Sequence, residues 1–227
     1  MPIKTLQAYL EIKESLTPFE LLGRSLAYNP YVPRLALEDL KRPPSQEIAH
    51  SILYLNANWD LEFLLEKLEQ ADNARALLLD FTPLYTQGMP ALEVLDLLGY
   101  IRRLSPKPLI HKDYFMSQYQ ILESLVHGAD ALLLNASLLA KNLKEILEYS
   151  VRLGLLGIVE VATPKELKTS ILAKAPALYF PQNFKTLLEL TPQRPLIFKD
   201  SEDLVPNAQN SYGVDALVIK TSEQAQK

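Results

Sequence analysis

From Ser51 onward the chain alternates short apolar runs with amphipathic runs, one pair about every 25 residues, and this rhythm restricts the fold more than any other feature. The apolar runs span Ser51–Asn56, Ala76–Phe81, Pro108–Lys112, Asp130–Asn135, Leu156–Val161, Ala177–Phe180, Pro195–Lys199 and Asp215–Ile219. Each has the length of a buried strand. Between them, Trp59–Gln70, Ala91–Leu104, Ser117–Val126, Leu138–Arg152 and Pro164–Ala173 repeat their apolar residues three and four apart, as one-faced helices do. Strand, crossover helix, strand requires parallel pairing. Eight such units close most naturally into an α/β fold of the (β/α)8 barrel type; a doubly wound open sheet has the same element count. The chain lacks Gly-x-Gly-x-x-Gly and Gly-Lys-Ser/Thr, the phosphate loops of nucleotide-binding open sheets, so the barrel is the expectation.

Residues 1–50 precede the first strand and hold a helical run over Ile3–Leu16, another around Pro18–Leu26, and a proline-rich stretch from Pro30 to Pro44. We expect a helical extension, 1–50, packed on a barrel formed by 51–227. Leu6, Leu10, Leu16, Phe19 and Leu22 would be its buried face. Eight residues follow Ile219, too few for a full closing helix, so the last helix of the barrel should be truncated.

Composition removes several function classes. The chain has no Cys, which excludes disulfide scaffolds, thiolate metal sites and cysteine nucleophiles and fits a reducing, cytoplasmic setting. A net charge of -4, with acidic and basic residues mixed, supplies no footprint for nucleic acid. The most apolar stretch, Ala129–Ala140, is interrupted by Asp130, Asn135 and Ser137, so neither a membrane span nor a signal peptide is expected.

Several motifs carry a more specific message. Pro108 to Ile121 reads Pro-Leu-Ile-His-Lys-Asp-Tyr-Phe-Met-Ser-Gln-Tyr-Gln-Ile and leads through Glu123 into His127-Gly-Ala-Asp-Ala and a run of leucines ending at Leu134. This resembles the indole-3-glycerol-phosphate synthases, in which the third strand ends in Lys-Asp-Phe, the next helix carries Tyr-Gln-Ile, and the fourth strand opens with Gly-Ala-Asp-Ala. Tyr85-Thr-Gln-Gly88, Val159-Glu-Val161 and Asn183-Phe-Lys-Thr186 are similar to further family motifs after the second strand, on the fifth and after the sixth. The resemblance covers roughly 51–219. It implies a (β/α)8 barrel with an N-terminal helical extension, and a carboxy-lyase of tryptophan biosynthesis. The family's reaction closes the ring of 1-(2-carboxyphenylamino)-1-deoxyribulose 5-phosphate with loss of carbon dioxide and water, without metal or organic cofactor.

The resemblance assigns Lys112, at the end of the third strand, as general acid and Glu160, on the fifth, as its acid/base partner. Alternation puts Ile110 and Lys112 on one side of the sheet and His111 on the other. A carboxylate flanked by Val159 and Val161 needs a cation, and Lys112 is the natural one. Elsewhere the pattern departs. The first strand should carry Glu-x-Lys and reads Tyr54-Leu55-Asn56, so Asn56 stands where a lysine grips substrate. Phe180 or Pro181 replaces an asparagine on the sixth strand. Lys199 stands where the seventh carries a glutamate, and Lys220-Thr221-Ser222 replaces the Gly-containing turn after the eighth. None of the 7 glycines stands directly after the seventh or eighth strand, the nearest, Gly213, coming just before the eighth, so no glycine lets backbone amides cradle a phosphate at those strand ends. Lys199, Lys220, Thr221 and Ser222 would have to bind the phosphorylated substrate, or another small anion, through their side chains. We therefore expect weak or lost turnover; the alternative is a silent barrel that binds a small anionic ligand or a protein partner.

Overall fold

The computed structural model describes residues 3–43, 45–201, 203 and 205–220. The extension comprises α1 (Ile3–Leu16), α2 (Phe19–Ser25) and the single turn α3 (Leu37–Leu40). There follow β1 (His50–Asn56), α4 (Leu61–Glu69), β2 (Ala76–Asp80), α5 (Asp96–Leu104), β3 (Leu109–Lys112), α6 (Gln118–Val126), β4 (Ala131–Asn135), α7 (Ala136–Leu139), α8 (Leu143–Arg152), β5 (Leu156–Glu160), α9 (Pro164–Leu172), β6 (Ala177–Phe180), α10 (Phe184–Leu190), β7 (Leu196–Ser201) and β8 (Ala216–Ile219). The strands pair in parallel in sequence order, and β8 returns to β1, giving a closed barrel. The open-sheet alternative is thereby excluded.

Strand alternation divides the core into an inner and an outer layer. Ile52, Leu78, Ile110, Leu133, Ile158, Tyr179, Phe198 and Val218 fill the barrel, one from each strand. Their neighbours, such as Leu77, Leu109, Leu132, Val159, Leu178 and Leu217, face the surrounding helices. Leu35 and Leu40 of the extension join the inner layer, so the extension stops the barrel at the end where the strands begin.

Three local departures from the expected elements have physical causes. The run 138–152 is broken, because Ala140 takes a positive φ of 40° and turns the chain between α7 and α8. Strand β7 continues past Lys199 to Ser201, where Asp200 pairs in register with Val218 and Ser201 with Ile219. On α1 the buried stripe is Leu6, Leu10 and Lys13, spaced four and three apart, while Leu16 lies off that stripe and is 62% exposed. Phe19 is likewise exposed at 37%, its ring resting against Tyr149, so the expected burial of Leu16 and Phe19 is corrected.

Candidate active site

The inward alternation that fills the barrel with apolar residues ends in a polar ring at the strands' C-terminal face. Parity requires this. Lys112 lies two residues beyond Ile110, Glu160 two beyond Ile158, Asp80 two beyond Leu78 and Asn135 two beyond Leu133. Lys112 is held between two carboxylates, with Nζ 3.1 Å from Glu160 and 3.3 Å from Asp80. Burial works against the ammonium, but the charges and hydrogen bonds of Asp80 and Glu160 outweigh it and hold the Lys112 pKa above its usual value. Asn135 Nδ2 donates to Glu160 Oε1 at 3.1 Å, and Asp80 also accepts from Thr82 N–H and Oγ1. The ion pair anticipated between Lys112 and Glu160 is thus formed. Asp80, not singled out from the sequence, completes it.

The opposite arc of the ring comes from β6, β7, β8 and β1. The Tyr179 hydroxyl donates to Asp200, whose other oxygen lies 2.5 Å from Lys220 Nζ. Burial and the adjoining Asp200 carboxylate push the Tyr179 phenol far above its usual range, so it stays a proton donor. The Lys220 ammonium lies 5.5 Å from the centroid of the Tyr54 ring, and the Tyr54 hydroxyl donates to Asp80 at 3.3 Å. Hydrogen bonds, ion pairs and one cation–π contact therefore link Glu160, Lys112, Asp80, Tyr54, Lys220, Asp200 and Tyr179 in one chain around the mouth. Asn56 is 8% exposed, with Oδ1 accepting from the Asn58 N–H, and caps the turn after β1.

Lys199 is not in the ring. On β7, Phe198 and Asp200 face inward, and Lys199 faces α10, its ammonium 4.6 Å from the Phe184 ring centroid. Burial there lowers its pKa. Sequence matching placed Lys199 at a position of the mouth that Asp200 fills, an offset of one residue that reverses the face. The inward parity of Phe198 was the signal that would have found Asp200. Lys199 and Lys220 are not brought together, and Thr221 and Ser222 lie outside the described residues.

Room for a ligand lies beneath α1. A cavity of about 480 Å³ is lined by Thr5, Thr82, Tyr85, Gly88 and Met89, and one of about 210 Å³ by Ile3, Leu6, Asn135 and Leu138; Tyr114 borders both. A larger cavity, about 920 Å³, opens at the other end of the barrel, far from Lys112. There Arg34 already pairs with Asp130, and Arg75 with Asp39. Among the described residues no cluster of acids and histidines could hold a metal ion, and no helix is long and apolar enough to cross a membrane.

The comparisons with known proteins bear on this geometry. The family model for indole-3-glycerol phosphate synthase matches residues 93–180, the segment from the approach to α5 through β6 that carries Lys112, Asn135, Glu160 and Tyr179. Asn56, Asp200 and Lys220 lie outside it. The indole-3-glycerol phosphate synthase of Campylobacter concisus is 34% identical over 183 residues, covering 76% of this chain and 67% of the relative. That of Campylobacter curvus is 36% identical over 183 residues, covering 76% and 68%. That of Campylobacter jejuni subsp. jejuni is 33% identical over 203 residues, covering 86% of this chain and 74% of the relative. A shared barrel architecture alone would not carry identity of this level through 74% of a relative's length, and the chain belongs to the indole-3-glycerol phosphate synthase family.

Proposed function

We propose that the chain is a slow carboxy-lyase of the indole-3-glycerol-phosphate synthase type, acting on 1-(2-carboxyphenylamino)-1-deoxyribulose 5-phosphate through Lys112 and Glu160. The observation that carries this reading is the Lys112–Glu160 contact of 3.1 Å at the mouth of the barrel. In the first step the ring carbon bearing the carboxylate forms a bond to the ketose carbonyl carbon, and Lys112 gives its proton to the carbonyl oxygen. Carbon dioxide then leaves, and the electron pair of its bond returns to the ring. Glu160 takes a proton from the neighbouring methylene and passes it to the new hydroxyl, which departs as water as the indole double bond forms, and Lys112 regains its proton from solvent. A cytoplasmic setting and a phosphorylated small-molecule substrate go with this reading.

Slowness has a stated cause. An acid whose proton is held by both Asp80 and Glu160 gives it up reluctantly, and the opposite arc lacks the glycine turn that seats a phosphate. The same two carboxylates favour a second reading, in which Lys112 is only a charge-neutralising strut in a silent, ligand-binding barrel. The test is indole-glycerol-phosphate formation by the purified chain, followed by product fluorescence, together with complementation of a strain lacking the synthase. The expected result is no complementation and a trace rate in vitro, lost in Lys112→Ala and in Glu160→Gln. A trace rate that survives both substitutions supports the silent barrel, and turnover within the ordinary range of about 1–10³ s⁻¹ overturns the claim of slowness.

A further inference from the structure

The mouth holds two described lysines, and they are not equivalent. Lys112 is enclosed by two carboxylates, and its side chain is 19% exposed. Lys220 meets one carboxylate, and its side chain is 43% exposed. A partly exposed ion pair of this kind is weak enough for an incoming anion to share. Lys220 also sits at the seam where β8 pairs with β1, beside the strand on which Asn56 replaces a cation.

The surroundings select the type of anion. The Tyr54 ring lies beneath the Lys220 ammonium, and the Trp59 ring meets Tyr54 edge-on with centroids 6.1 Å apart. An aromatic face beneath the ammonium, with a second ring set against the first, suits a flat aryl group bearing a single negative charge. A phosphate dianion fits poorly, because it asks for several donors and suffers twice the Coulomb repulsion from Asp200. Tyr179 holds the far oxygen of Asp200, which leaves the near oxygen aimed at Lys220. We infer that Lys220, steered by Asp200 and backed by Tyr54, is the residue that grips the aryl carboxylate of the substrate, in place of the cation absent from position 56. This rests on the reading under Proposed function and reassigns Lys220 from the phosphate to the carboxylate end.

The test titrates the full chain with three probes: 2-aminobenzoate, its neutral isostere 2-aminobenzamide, and inorganic phosphate. Binding of the two aryl probes is followed by equilibrium dialysis, and phosphate is used as competitor. The wild type is expected to prefer the carboxylate over the amide tenfold or more. Lys220→Met should abolish that preference while leaving amide affinity within twofold, and Lys220→Arg should restore part of it. Phosphate should displace 2-aminobenzoate only at concentrations that act through ionic strength. A carboxylate preference unchanged in Lys220→Met, no measurable binding of 2-aminobenzoate, or specific displacement by phosphate overturns the inference. Turnover separates the two proposals. Lys220-dependent carboxylate binding without product formation leaves the anchor standing and removes the catalytic reading. Turnover with an unchanged KM in Lys220→Met does the reverse.

Discussion

At the residue scale the third strand places two neighbours with opposite fates. Lys112 faces the mouth, and His111, one residue earlier, is buried on the helix side between the rings of Phe81 and Phe115, with Nδ1 2.9 Å from Ser124 Oγ. Burial drives the His111 pKa down to about 3, so it is neutral in the folded protein. Asp113, on the other flank, accepts from the Tyr114 N–H at 2.7 Å and the Tyr85 hydroxyl at 3.3 Å, yet burial outweighs these bonds and raises its pKa to about 6. The two shifts oppose each other in acid. Folded Asp113 keeps its proton to higher pH than the unfolded chain does, so its contribution to stability falls as pH rises from about 4 to about 6. Folded His111 refuses a proton that the unfolded chain accepts, so its contribution rises between about pH 3 and 6.5. Asp113→Asn, which keeps the acceptor and removes the buried charge, should stabilise the protein at pH 7 by on the order of 2 kcal/mol. The His111 slope would then be unopposed, and denaturant titrations at pH 4, 5, 6 and 7 should show the variant losing stability on acidification faster than the wild type does. A variant that resists acid better than the wild type would contradict this account.

At the scale of elements, α1 docks on α6 through a charge where its apolar stripe would continue. Lys13 Nζ lies 2.5 Å from Glu123, both side chains 10% exposed or less. Burial raises the Glu123 pKa and Lys13 pulls it back. The Tyr119 hydroxyl donates to the Lys13 carbonyl, and the Tyr9 hydroxyl to the Pro90 carbonyl, so α1 is tied to two connections of the barrel. Lys13→Met should cost about 3–5 kcal/mol, because it leaves Glu123 buried without its cation. The double variant Lys13→Met/Glu123→Leu should regain most of that loss, since apolar pairs of similar volume replace buried ion pairs well. Urea denaturation of the single and double variants measures both, and a double variant no better than Lys13→Met would show that the docking depends on the charges themselves.

For the whole molecule, the extension acts at both ends of the barrel. Leu6 of α1 borders a cavity beside Asn135 at the mouth where the strands end, and Leu40, fully buried, closes the inner layer at the other end. Near Leu35, Asp130 is fully buried and accepts hydrogen bonds from Arg34, Arg102 and the Leu109 N–H, which fastens the extension to α5 and to the start of β3. Removal of residues 1–45 would open the inner layer and strand Asp130 with one arginine fewer. The melting temperature should drop by several degrees, or the chain should become insoluble, as thermal scans of soluble protein will show. A truncated chain as stable as the full one would mean that these contacts contribute nothing.

Period and parity along the chain were enough to determine the eight strands to within two residues, the order of strand and helix, and the inward direction of Lys112 and Glu160. Both follow from local sterics, which set successive strand side chains on opposite faces wherever one face must be buried. The family was legible as well, because the third and fifth strands keep their motifs intact. Tertiary structure alone decided the composition of the ring. Asp80 and Asp200 are single carboxylates at the ends of leucine- and phenylalanine-bearing strands, and only the register in which β2 pairs with β3 and β7 with β8 brings them to Lys112 and Lys220. Lys199 read as a site residue because alignment fixes order and leaves register open, and the pairing of β7 with β8 set the register that turns it outward. The seam between β8 and β1 joins residues more than 160 positions apart in sequence, and no local signal encodes the meeting of Lys220 with Tyr54 there.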